Sequence, residues 1–276
     1  MKYRLIATDL DGTLLDDARG LTERTRNAII KTVKAGVLFV TATGRPFGNV
    51  AIIKDLFHSI DPDIDMPFII FNGAAAHMGK SGKLLFERFL DFELAKEAFD
   101  IGQKLDVAQI VWTGPRLWAN RICDETVRYR NLSKASDLTV TTDLADLKSK
   151  VTGISKVLWI TAPEKVTHLR PEMCEHFCER LSCISSMPHF LEFISSDAGK
   201  GSALADICKL YDIDRSEVIA VGDSYNDISM LEYAGLSVAV ENAHADVKAV
   251  CDIVTHSNND DGVAAVIEEF ILGRSY

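Results

Sequence analysis

Positive charge is what this sequence is short of: its 276 residues carry 30 Lys and Arg against 40 Asp and Glu, a formal charge of -10 at pH 7. A surface that binds nucleic acid by neutralising phosphates needs clustered cations, so nucleic acid is not expected as a partner. Also missing is any apolar stretch long enough to span a bilayer. At the N-terminus, Lys2 and Arg4 interrupt the apolar residues too early for a secretory signal, which makes a cytoplasmic location the expectation. The six cysteines, at 123, 174, 178, 183, 208 and 251, contain no Cys-x-x-Cys pair, and in such a compartment they are expected to stay reduced. The tightest group, Cys174, His176, Cys178 and Cys183, matches none of the usual zinc-ligand spacings, so buried free thiols are expected there. No internal repeat or low-complexity segment occurs. No Gly-x-Gly-x-x-Gly follows the first apolar run, which removes the dinucleotide-binding dehydrogenases.

What is present is ordinary globular usage, 47% apolar and 25% charged. At about 100 to 200 residues per domain, the chain has room for one large or two moderate domains. Residues 3 to 9 form a short apolar run ending at a turn signal, and Ile29, Ile30 and Val33 then mark a helix over 22 to 34, closed by Gly36. A second run, Val37 to Thr41, leads through a Gly-Arg-Pro turn to a helix through Leu56 and Phe57. A third strand, Phe68 to Phe71, completes βαβαβ. After residue 198 the alternation resumes: helices near 200–210, 227–234, 246–250 and 261–272, and strands at 217–221, 237–240 and 252–254. The pattern predicts a parallel sheet covered by helices on both faces.

Between about 85 and 192 the strands are paired instead, as in Ile110 to Trp112 and Leu117 to Ala119 across a Gly114-Pro115 turn, with helices at 92–105, 124–134 and 163–180. The fold expected is therefore α/β: a Rossmann-like core from residues 1–84 and 193–276, and an inserted α+β domain over 85–192 whose antiparallel sheet has helices on one face.

In open α/β sheets ligands bind beyond the carboxyl ends of the strands, so polar clusters there carry functional weight. Four qualify. In Asp9-Leu10-Asp11-Gly12-Thr13, Gly12 permits a turn that leaves the Leu10 and Asp11 amides facing an anion. Asp9 is placed to attack phosphorus and Asp11 to protonate the leaving oxygen, then to take a proton from water. In Thr41-Ala42-Thr43-Gly44-Arg45, the Thr43 hydroxyl and the amide behind it suit a phosphate oxygen; Arg45 either touches substrate or caps the loop. Lys200, at a helix start, offsets the repulsion between a carboxylate and a phosphate, about 4 kcal/mol per charge pair at ~4 Å and an effective dielectric near ~20. In Gly222-Asp223-Ser224-Tyr225-Asn226-Asp227, two carboxylates and an amide suit a hard, oxygen-preferring cation such as Mg²⁺. Asp9 and Asp223 are its expected direct ligands, while Asn226 and Asp227 orient waters, Lys200 or phosphate.

These motifs resemble the haloacid dehalogenase superfamily, specifically its Cof-type phosphatases with a large C2-type cap. The order matches: Asp-x-Asp-Gly-Thr, Thr-Gly-Arg, Asn72-Gly73-Ala74, Lys200, Gly-Asp-x-x-Asn-Asp, and the run Ser257 to Ala264. The resemblance covers residues 1 to 85 and 193 to 276 and, in the middle, rests on element order alone. It implies Asp9 as nucleophile and metal ligand, Asp11 as acid/base whose backbone carbonyl also binds metal, and Asp223 as the third ligand. It further implies the Leu10 amide, Thr43, Gly44, Lys200 and Asn226 as the phosphate grip, magnesium as cofactor, and a sugar phosphate as the usual substrate.

One departure is Glu241, in Val240-Glu241-Asn242-Ala243, where the family often has glycine. Asp11 favours a phosphate ester, because an alkoxide needs a proton on leaving. The expectation is a Mg²⁺-dependent phosphatase of small phosphate monoesters working through an aspartyl-phosphate on Asp9, as a monomer or weak homodimer. A phosphomutase and a catalytically silent sensor of phosphometabolites are the alternatives. Substrate choice is expected to lie in the inserted domain. There Trp112, Trp118 and Trp159 are expected in the core, and Arg116, Arg121, Arg128 and Arg130 on a solvated face.

Overall fold

The computed structural model describes residues 2–50, 53, 55, 65–114, 116–135 and 137–273. They fall into two compact units: 1–44, 50–86 and 199–276 form the first, and 45–49 and 87–198 the second.

In the first unit an eight-stranded sheet runs β14-β13-β12-β1-β2-β3-β4-β5, ending on β5 (Leu84–Glu87). β1 (Leu5–Thr8) is four residues long and buried throughout, as a strand covered on both faces must be. It pairs in parallel with β2 (Leu38–Ala42) on one side and β12 (Val218–Gly222) on the other. From β1 the chain moves to β2, and only much later returns to the opposite flank as β12. The order thus reverses at β1, and a crevice opens there at the carboxyl ends. β13 (Leu236–Ala239) and β14 (Ile253–Val254) continue in parallel beyond β12, and β3 (Pro67–Ile70) beyond β2.

The helices of this unit are α1 (Glu23–Lys34), α5 (Lys200–Leu210), α6 (Ile228–Tyr233), α7 (Ala245–Ala249) and α8 (Gly262–Val266). Thr22 caps α1 by accepting from the Thr25 amide at 3.1 Å. Two expectations are corrected. The sheet is not wholly parallel, because β4 (Ala75–Met78) turns back antiparallel on β3, a hairpin too short to need a crossover helix. The C-terminal helix is not α throughout: α8 gives way to a π-helical turn at Ile267–Ile271. The helix expected through Leu56 and Phe57 lies outside the described residues.

The second unit carries a six-stranded sheet in the order β10-β11-β9-β6-β7-β8. β6 (Ala108–Thr113) and β7 (Arg116–Ala119) form the expected hairpin, and β9 (Lys156–Ile160), β10 (Leu181–Ile184) and β11 (Phe190–Ser195) add antiparallel pairs. β8 (Leu138–Val140) instead runs parallel to β7, because α3 (Asp124–Ser133) supplies the crossover between them.

α2 (Phe92–Lys104) and α4 (Pro163–Phe177) cover one face, burying Phe99, Leu169 and Phe177 with Val157, Trp159 and Phe193. Helices do not keep to that face. Trp112 alternates with core-facing Val111 and donates through Nε1 to the Tyr129 hydroxyl of α3 at 3.0 Å, which puts α3 on the other side. Trp112 and Trp159 are buried and Trp118 half-buried. The expectation of buried thiols in the Cys174 group fails for Cys174 and Cys178, which are exposed. No helix among the described residues is long and apolar enough to cross a membrane.

Candidate functional site

The candidate residues sit at the carboxyl ends of β1, β2 and β12 and at the start of α5, all within the first unit. β1 delivers Asp9, 7% exposed, whose amide donates to the Val221 carbonyl of β12 at 3.0 Å. Leu10 is buried, and its carbonyl accepts from Leu15 at 2.9 Å, closing the loop on whose outer side Asp11 is exposed. Gly12 has φ 81°, and a Cβ there would stand 2.8 Å from Asp223 Oδ2, so both its backbone and its surroundings require glycine.

Lys200 is wholly buried, and its Nζ donates to Asp9 Oδ1 and to Asp227 Oδ1, each at 2.5 Å. It gets there because the turn after β3 approaches closely: a Cβ on Gly73 would lie 2.1 Å from the Gly199 carbonyl oxygen. Asp227, also wholly buried, uses its second oxygen to accept from the Asp223 and Ser224 amides at 3.0 Å each. Asp223 accepts from the Thr13 hydroxyl at 2.6 Å.

Carboxylate oxygens of Asp9, Asp223 and Asp227 lie within 4.8 Å of one another. Three carboxylates therefore share one ammonium, and the electrostatics reflect the shortage. Burial pushes Asp9 well above its ordinary 3.8, with Lys200 offsetting and Asp227 and Asp223 adding to the rise. Asp223 is pushed up to about 6, first by burial and then by Asp227, against the pull of the Thr13 hydroxyl, Lys200 and His244. Burial would lower Lys200, but the charges of Asp227 and Asp9 more than reverse it, so the amine stays protonated. The donor set fits a divalent cation, the hard oxygen-liganded kind that relieves such repulsion. Asp227 is the weaker donor of the three, because hydrogen bonds already engage both its oxygens.

The phosphate-side residues converge separately. Thr43 is buried at the end of β2, and its carbonyl accepts from the Asn72 amide at 3.0 Å. Asn226 Nδ2 donates to Asn72 Oδ1 at 2.9 Å, and Gly44 lies so close that a Cβ would be 3.0 Å from that same oxygen. Asn72 thus ties the Thr43-Gly44 loop to the Asn226 loop, from a left-handed backbone (φ 55°, ψ 30°) that asparagine tolerates. Its role, and that of Thr13, went unassigned in the sequence although both stand inside quoted motifs. The signal was a polar residue of suitable type in the loop that leaves a buried strand. Asn242 is a third such residue: its Nδ2 donates to the Gly12 carbonyl at 2.7 Å and its Oδ1 accepts from the Asn258 amide at 2.9 Å.

Glu241 is exposed and is not among the described residues with positive φ, so no glycine is needed there. Arg45, assigned to the second unit, donates to the Asn49 carbonyl at 3.2 Å and so closes its own loop. In the second unit Arg121 pairs with Asp106, and Arg130 Nη2 with Asn131 Oδ1 at 2.8 Å.

Fold and site together define a class, the parallel α/β hydrolases whose acidic site lies where the strand order reverses. The chain belongs to the haloacid dehalogenase-like hydrolases, whose family model matches residues 6–267. Phosphatase YwpJ of Bacillus subtilis (strain 168) is 30% identical over 295 residues, covering 97% of this chain and 100% of that protein. A 5-amino-6-(5-phospho-D-ribitylamino)uracil phosphatase of the same organism, YwtE, is 29% identical over 293 residues, covering 98% and 99%. The crystal structure of a haloacid dehalogenase-like hydrolase from Bacteroides thetaiotaomicron aligns with a TM-score of 0.82 at 28% identity, covering 98% of this chain and 100% of that one. The protein is accordingly a phosphoric monoester hydrolase.

Proposed function

We propose that the chain hydrolyses small phosphate monoesters, sugar phosphates among them, through a phosphoryl group carried on Asp9, with Mg²⁺ as cofactor. The observation that carries this reading is the pair of 2.5 Å contacts from buried Lys200 to Asp9 and Asp227, beside Asp223. A carboxylate held at a strand end by a protonated lysine is aimed for attack, and the lysine's charge offsets part of the burial that favours its protonated form.

Asp9 and Asp223, with the Asp11 carbonyl, would hold the ion, which when bound supplies positive charge against the developing charge on phosphorus. Asp9 attacks phosphorus, and the bond to the alcohol oxygen breaks as Asp11 gives that oxygen a proton. Asp11, then ionised, takes a proton from water as the water attacks the phosphoryl group, and the bond to Asp9 breaks. Inorganic phosphate and the free alcohol are the products. The Leu10 amide, Thr43, Gly44, Asn226 and Lys200 grip the phosphate oxygens, and Asp227 keeps Lys200 in place. Choice among alcohols is assigned to the inserted domain.

Phosphate release from an aryl phosphate tests the assignment. Asp9→Asn should lose about 10⁴-fold or more in turnover, as nucleophile removal does in other covalent hydrolases. A folded Asp9→Asn enzyme with full activity would refute it.

A further inference from the structure

α4 and β10 are joined by a short reversal, and the packing of Met173, Phe177 and Leu181 in the core holds the end of the helix against the strand. Cys174, in the last turn of α4, is exposed, and Cys183, on β10, is half-buried. The Cys174 thiol lies 3.8 Å from the Cys183 carbonyl oxygen, to which it donates, close enough for its charge to act on the Cys183 thiol. Neighbouring groups do not compete for this pair: His176 Nε2 is 2.7 Å from Glu97 Oε1, and Arg180 caps the helix end through the His176 carbonyl at 2.9 Å.

We propose that Cys174 and Cys183 are a modification site, oxidised by peroxides to an intramolecular disulfide that ties α4 to β10. Cys174 is the attacking thiol because peroxide can reach it. Its sulfur takes one oxygen from the peroxide, the O–O bond breaks and water leaves, giving a sulfenic acid. The Cys183 sulfur then attacks the Cys174 sulfur, the S–O bond breaks and a second water leaves. One peroxide is reduced to two waters while two thiols lose two electrons.

Burial and the adjacent Cys174 charge both push the Cys183 thiol up. That leaves Cys174, the exposed thiol, as the one that peroxide oxidises first. The sulfurs must close to about 2.05 Å; the Cys174 side chain already rests against the Cys183 backbone, which leaves rotation of the two side chains to bring them together.

The test treats the full-length protein with hydrogen peroxide and reads intact mass and a non-reducing digest. The expected result is loss of two hydrogens, a peptide joining residue 174 to residue 183, and reversal by dithiothreitol. Cys174→Ser, at an exposed position, should abolish the cross-link with an unchanged circular dichroism spectrum, whereas Cys178→Ser should form it as the wild type does. Oxygen added to Cys174 without a cross-link, a link from Cys174 to Cys178, or a disulfide between two chains would each overturn the proposal. Should Cys183→Ser fail to fold, Cys174→Ser decides alone.

Discussion

Each unit buries a lysine, and the company each keeps differs. In the inserted unit, Lys156 is 1% exposed and Nζ stands 3.0 Å from Glu192 Oε2, whose other oxygen accepts from Ser186. The Tyr129 hydroxyl, which accepts from Trp112 Nε1, is near enough to help hold the Lys156 ammonium protonated. Here one cation directly faces one anion. In the core unit, Lys200 faces Asp9 and Asp227 with Asp223 beside them, one cation among three carboxylates. A buried pair in balance holds a sheet together. A buried cluster short of positive charge is built to receive it from outside.

The largest difference should come from removing each lysine. Lys156→Met leaves Glu192 buried and unpaired and should cost about 3–5 kcal/mol of stability, read as a lower urea midpoint, without a comparable loss of turnover. Lys200→Met should lower turnover by about 10²–10³-fold, the usual cost of deleting a charge-stabilising donor. Equal losses of activity in the two variants would erase the distinction.

Protons give the next sharpest contrast. A carboxyl with a higher pKa folded than unfolded holds its proton more tightly in the folded state, so stability falls as pH rises between the two values. For Asp223 that window runs from 3.8 to about 6. In EDTA, the wild type should lose thermal stability relative to Asp223→Asn as pH climbs through it, and the gap should hold steady above. Added Mg²⁺ should stabilise the wild type and not the variant. Parallel pH curves in EDTA would show that the carboxylates are not short of charge. The smallest effect belongs outside both clusters: Glu241→Gly should change stability by less than about 1 kcal/mol, and only downward, since its backbone has no use for glycine. A gain in stability would contradict that.

The two units also differed in how far the sequence disclosed them. Largely apolar runs leading to Asp9, Thr43 and Asp223 marked both the strand ends and the crevice, because parallel strands buried on two faces carry no charge until they emerge. The inserted unit offers no such punctuation. The β7–β8 parallel pair depends on where α3 crosses, and α3 on the second face depends on Tyr129 reaching Trp112, neither of which periodicity encodes. Lys156 and Glu192, 36 residues apart, are brought together only by the β9–β11 register, which sets Glu192 opposite Leu158. Asn72 was legible as part of a motif but not as a tie, since its function lies in a contact with Asn226, 154 positions away.

Trapping the phosphoryl group tests the central claim most directly. Enzyme turning over an aryl phosphate with Mg²⁺ is quenched in acid, reduced with borohydride to convert an acyl phosphate to homoserine, and mapped by peptide mass. The account predicts homoserine at position 9 and none at position 11. Turnover with no modified residue, or modification at Asp11 in place of Asp9, would contradict it.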